Sequence, residues 1–159
     1  MIPGMLNASD YHPPRWLRNA HVQSVLGSSA LRRRHGERSL AQLNAVSTLH
    51  TIDAGDDARL QGVHTAMPGT ASRGLVMLLH GWEGSVDSSY MRLTAAELLR
   101  EGFEVFRLNF RDHGNTHHLN EGLFHSNRID EVVRAAAEVA RLYPDRPLAV
   151  AGYSLGGNF

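Results

Sequence analysis

The 159-residue sequence closes on Ala151-Gly152-Tyr153-Ser154-Leu155-Gly156-Gly157-Asn158-Phe159. A serine with a glycine two positions to either side is a candidate nucleophile. A tight strand-to-helix turn holds its central residue in sparsely populated φ/ψ space, so the flanking positions must be nearly free of side chain, as Gly152 and Gly156 are. Such a turn lifts the Ser154 hydroxyl out at the end of a sheet, and a helix beginning at Leu155 would aim its positive end at the same point. The pattern alone is weak. A plain Gly-rich turn reads the same way, and Gly-rich strand-to-helix turns also cradle phosphates. The phosphate reading requires G-x-G-x-x-G, and the glycine spacing here differs. Attack of a serine on an ester or amide carbonyl builds an oxyanion that needs two preorganised backbone donors. One is the N–H of Leu155. The other should come from the loop after the first strong strand, where His80-Gly81-Trp82-Glu83-Gly84 offers the Trp82 N–H. Losing one such donor typically costs about 3 kcal/mol of transition-state stabilisation.

Other reactive side chains are weighed against that pair of loops. His80 ends an apolar run, where an imidazole more often ties a loop down by hydrogen bonds than acts as a base. His113, His117, His118 and His125 fall in one segment, and the spacing of four between His113 and His117 would suit a metal on a helix. Gly114 and Asn115 make that segment a loop, and no HExxH pattern is present, so no metal site is expected. Asp112 and His113 are a possible local acid and base, but nothing in the sequence fixes them near Ser154. The chain has no cysteine, which excludes disulfides, thiolate catalysis and cysteine-based zinc sites. No cofactor is implied.

The elements that must carry these loops are legible from periodicity. Leu75 to Leu79 is a continuous apolar run, as in strands buried on both faces of a parallel sheet. A helical pattern follows from about Ser89 to Arg100, with Gly102 as its stop. Phe103 to Phe110 reads as a second strand and Arg111 to Asn127 as a polar loop. An amphipathic helix spans about Arg128 to Leu142, with Asn127 as its expected cap. Pro147 to Ala151 is expected as a third buried strand, running straight into the Ser154 turn. Alternation of strand and helix implies a mostly parallel sheet with helices on both faces, and reactive groups gather at the carboxyl ends of its strands. Residues 43–66 read as two strands around a turn at Ala54-Gly55-Asp56-Asp57. Residues 1–40 read as an irregular arm with a short helix from about Trp16 to Leu26, expected to pack across the sheet edge.

Composition narrows the class. A chain this long, 42% hydrophobic and 20% charged, can bury roughly 70% of its unfolded surface in one domain. Formal net charge is zero, so no global field favours nucleic acid or a membrane. The first forty residues are locally basic, with Arg15, Arg18, Arg32, Arg33, Arg34 and Arg38 against Asp10 and Glu37; a solvated helical face is the default for such a run. The N-terminus lacks the basic-then-apolar pattern of a signal peptide, and no apolar run approaches the ~20 residues that span a bilayer. A cytoplasmic protein with a small-molecule partner, no nucleic acid and no stable membrane insertion is expected; the sequence does not indicate oligomeric state.

Taken together, HGWEGSVDSSYM, NFRDHG, LFHS and GYSLGGN resemble the YheT-like branch of the α/β-hydrolase superfamily, AB-hydrolase family four. Asn19-Ala20-His21-Val22-Gln23-Ser24 resembles that family's N-terminal N-x-H-x-Q-T stretch. Asp112-His113 departs from the family's NFRG turn, and Asn127 from the glycine after its HS pair. The resemblance implies an α/β-hydrolase fold cut after the nucleophile elbow, with residues 1–40 as an arm and 41–159 as the N-terminal, incomplete portion of the hydrolase domain. It also implies Ser154 as nucleophile and Trp82 and Leu155 as oxyanion donors. In the superfamily an Asp or Glu and then a His follow the serine, so both partners would lie beyond Phe159. The implied activity is carboxylesterase- or lipase-like hydrolysis of an acyl ester. An acyltransferase, or a non-catalytic remnant or binding module on the same fold, is the alternative.

Overall fold

A computed structural model describes residues 12–27 and 29–159; Asp10, one of the two acids counted in the arm, lies outside them. Five strands form one mixed sheet: β1 (Val46–Asp53), β2 (Arg59–Ala66), β3 (Leu75–Leu79), β4 (Glu104–Leu108) and β5 (Leu148–Gly152), in the order β1-β2-β4-β3-β5. β1 and β2 are an antiparallel hairpin joined at the expected turn, where Asp53 Oδ1 accepts from the Gly55 N–H and Asp56 and Asp57 take left-handed φ. β2 meets β4 antiparallel, whereas β3 is parallel to both β4 and β5. The parallel part is the part that alternates with helices, as a right-handed crossover requires.

Among the described residues the helices are α1 (Ala20–Gly27), α2 (Ala30–Ala41), α3 (Ser89–Arg100) and α4 (Ile129–Leu142), of which α3 and α4 flank the sheet. α3 buries Met91, Ala95, Ala96 and Leu99, and Met91, Ala95 and Leu99 form the core on one face with Val76, Leu78 and Val105. α4 buries Val132, Ala135 and Val139 on the other face, against Met77, Leu79, Phe106, Leu108 and the β1–β2 hairpin. β3 and β4 are covered on both sides and are buried at every position.

Four expectations need correction. Over its described residues the arm is not irregular: a 3-10 turn at Arg15–Leu17 and α1 replace the single short helix, and α2 follows. α2 packs on α3 and not across a sheet edge; a Cβ at Gly36 would lie 3.2 Å from Ser89 O and 3.3 Å from Arg92 Cβ, so a side chain there would press the two helices apart by a few tenths of an ångström. Asn127 does not cap α4; Arg128 occupies that position, and no side chain closes the cap. Finally, β5 is largely exposed, because it is the edge of the sheet and α4 reaches only its first residue, Leu148.

Candidate active site

β3 and β5 end side by side, with Leu79 paired to Gly152. The chain leaves each strand into a loop of the expected type. After β5, Tyr153 N–H donates to Leu79 O (3.0 Å), which carries β3–β5 pairing one residue beyond the strand. Ser154 then takes φ +51°, a left-handed conformation that a non-glycine residue rarely adopts and that turns its side chain out of the sheet. Ser154 is exposed. The glycines beside it are required by contact. A Cβ at Gly152 would lie 2.0 Å from Gly156 O, and one at Gly156 would lie 2.6 Å from both Leu79 O and His80 O. The segment Ser154–Gly157 is a 3-10 turn closed by Gly156 N–H to Tyr153 O. Four residues of 3-10 helix carry little axial dipole, so the expected help from a helix terminus at Ser154 is small in this chain.

After β3, Gly81 to Gly84 form a turn closed by Gly84 N–H to Gly81 O (3.0 Å), with Glu83 at φ +52°. The Trp82 N–H donates to no acceptor among the described residues, and neither does the Leu155 N–H. The two loops touch: a Cβ at Gly81 would lie 3.3 Å from Ser154 Cβ and 3.2 Å from Tyr153 O. The structure thus brings Ser154 and the stretch bearing Trp82 together, with Leu155 adjoining.

His80 is fully buried and spent on structure, as its position at the end of an apolar run implied. Its Nδ1 bonds Gly81 O (2.8 Å), and its Nε2 accepts from the Phe110 N–H (3.2 Å), which joins the loop after β3 to the loop after β4. Burial is the main cause that pulls this imidazole down to about 4, so it is neutral at pH 7. His113 Nδ1 bonds Arg111 O (2.8 Å), and its ring lies against His80 and Phe124. Asp112 pairs with His117 in an exposed loop. No hydrogen bond joins Ser154 Oγ to any of these among the described residues. No group of three His, Asp or Glu among the described residues stands close enough to hold a metal ion.

The residues that fix the loop after β3 were not legible in the sequence. Tyr90, in the first turn of α3, accepts the Gly81 N–H on its hydroxyl (2.9 Å), and its ring packs 4.8 Å from that of Tyr153. Tyr153 in turn bonds Thr94. One helix therefore holds both loops. Asn109 accepts the Val86 N–H (2.8 Å), and the buried Arg107 donates to Val86 O (2.8 Å). Only the amphipathic period of α3 pointed to any of these.

A family model described as the alpha/beta hydrolase fold matches residues 74–159, more than half of the chain. The chain belongs to the α/β-hydrolase family. The match is to the general family; it does not reach Asn19 to Ser24, and no match singles out the YheT-like branch. The narrower resemblance is thereby corrected, as is its reading as that branch's N-terminal half: what matches is a general α/β-hydrolase domain in the C-terminal part of this chain. Comparison with curated proteins gives no match. Among solved structures, an α/β serine hydrolase without a lid from Xanthomonas campestris is 25% identical with a TM-score of 0.59, covering 69% of this chain and 51% of that one. An esterase of Pyrococcus furiosus is also 25% identical, TM-score 0.63, covering 73% of this chain and 45% of that one. The hyperthermophilic esterase of Pyrobaculum calidifontis shares the fold at 20% identity and TM-score 0.56, covering 80% of this chain and 41% of its own. The α/β-hydrolase chain described here spans about half the length of these solved relatives.

Proposed function

We propose that this α/β-hydrolase is a serine hydrolase of the carboxylesterase or lipase-like type, acting through an acyl-enzyme on Ser154. The observation that carries the reading is the exposed serine at left-handed φ, in contact with a loop that holds an unused amide. The Ser154 hydroxyl attacks the ester carbonyl and gives its proton to a base. The Trp82 and Leu155 N–H groups hold the oxyanion. The tetrahedral adduct expels the alcohol, which takes up that proton; water then attacks the acyl-serine and releases the carboxylic acid. Both nitrogens of His80 are committed elsewhere, so His80 is not that base. An acyltransferase would differ only in replacing water by another acceptor.

Without its base, a serine hydroxyl is a weak nucleophile. The test supplies one from solution. The chain is incubated with a fluorophosphonate with and without imidazole, and the adduct is located by peptide mapping. Imidazole is expected to accelerate phosphonylation at Ser154 well above every other serine, and Ser154→Ala to abolish it. Adducts scattered over many serines, or none at Ser154 with imidazole present, would assign the chain to a non-catalytic module on this fold.

A further inference from the structure

We propose that the N-terminal arm is a docking surface for an anionic lipid bilayer. The inference rests on charge and exposure, and stands apart from the assignment of Ser154. The zero net charge conceals two oppositely charged parts: residues 1–40 carry six arginines against two acids, and residues 41–159 carry ten arginines against fourteen acids. The arm's positive charge is uncompensated. Its one described acid, Glu37, is taken by Arg92 of α3 (2.7 Å), while Arg15, Arg32, Arg33, Arg34 and Arg38 form no ion pair among the described residues.

Packing decides which way that charge faces. α2 buries Gly36 and Ser39 on α3. The 3.6-residue period then places Leu31, Arg34 and Arg38 on the opposite, solvent side. Leu31 is 70% exposed, Val25 of α1 is 70% exposed, and Trp16 is 64% exposed. Single apolar side chains set among unpaired arginines suit the bilayer interface. There the arginines meet anionic headgroups, and the tryptophan, leucine and valine enter the acyl boundary. Phosphate contacts on a nucleic acid would use the arginines and leave Leu31 and Val25 without a partner. Location adds a consequence. A cleft of about 260 Å³ is lined by Gly27, Ser29 and Arg33 of the arm and by Ser88, Ser89 and Tyr90 at the start of α3. Tyr90 is the residue that bonds Gly81, so the arm lies beside the start of α3 that holds the loop next to Ser154. Among the described residues no helix is long and apolar enough to cross a membrane, so the contact is a surface one.

The test is co-sedimentation of the full chain with phosphatidylcholine vesicles containing about one-third phosphatidylglycerol, and with pure phosphatidylcholine vesicles. Binding is expected to the anionic vesicles only, with release at ~0.5 M salt, where screening is strong. Each interfacial arginine strengthens binding about fivefold, so Arg34→Gln/Arg38→Gln should weaken it roughly 25-fold, and Arg34→Lys/Arg38→Lys should bind as the parent does. Circular dichroism confirms that the variants are folded. Trp16 emission, read on the unaltered chain as its difference from Trp16→Phe, should shift to the blue on anionic vesicles alone and so gives the answer even if a variant misfolds. Failure to bind anionic vesicles at low salt, equal binding to both vesicle types, or tighter binding to a short DNA duplex than to either would overturn the proposal.

Discussion

β3 and β5 are neighbours in the sheet, paired residue for residue from Leu75–Leu148 to Leu79–Gly152, and both end at the candidate site. Their sequences, Leu-Val-Met-Leu-Leu and Leu-Ala-Val-Ala-Gly, are both short apolar runs. Their surroundings are opposite. Met77 is 0% exposed, between the helices of two layers, while its partner Val150 is 52% exposed at the sheet edge. The loops that follow differ as well. The one after β3 is fastened by the side chains of His80, Tyr90, Arg107 and Asn109. The one after β5 is shaped by missing side chains, with glycine backbone packed on strand backbone. Apart from the Tyr153–Thr94 bond that ties both loops to α3, one half of the site is thus held mainly by side-chain hydrogen bonds and the other mainly by close contact, and the two halves should fail differently.

The largest failure is expected at the contact-shaped half. Gly152→Ala drives a methyl group into Gly156 O and should cost on the order of 4 kcal/mol, read as a shift in the urea midpoint. In the buried strand, Met77→Ala should cost about 3 kcal/mol, while Val150→Ala, at the paired position, should cost less than about 0.5 kcal/mol. Equal losses at the two would mean that the β5 edge is covered in solution.

The hydrogen-bonded half should betray itself through pH. His80 has a folded value of about 4 against 6.5 when unfolded, so the unfolded chain takes up a proton first as pH falls. The stability this gives is complete above pH 6.5 and is lost as pH falls to about 4, by about 3 kcal/mol at most. His64, also held below its usual value chiefly by burial, loses stability in the same direction. Denaturant titrations between pH 7 and 4 should therefore slope downward toward acid, and less steeply in His80→Gln. Smaller still, Tyr90→Phe removes one acceptor from Gly81 and should cost about 1 kcal/mol, with faster hydrogen exchange at the Gly81 amide and little change in the urea dependence.

How much of this was legible follows the same division. β3, α3 and α4 were readable because their apolar periods match the faces they bury, and Gly152, Ser154 and Gly156 because backbone sterics restrict residue type locally. The edge position of β5 was not: a run of apolar residues records that burial is possible, and the neighbours decide whether it occurs. α2 was missed because Arg-Arg-Arg-His-Gly-Glu-Arg has no apolar stripe and contains a glycine that disfavours helix. Its stability comes from tight packing on α3, a long-range contact. Tyr90 was invisible for the same reason, since its acceptor role depends on where Gly81 arrives.

The central claim is that the amides of Trp82 and Leu155 serve one oxyanion formed on Ser154. Titration of the ¹⁵N-labelled chain with an alkylboronic acid, which adds reversibly to a serine hydroxyl and places an anionic oxygen there, tests it most directly. The Trp82 and Leu155 amide resonances should shift together along one binding curve, and neither should move in Ser154→Ala. Movement of only one of them, or of both in the absence of the serine hydroxyl, would contradict the account.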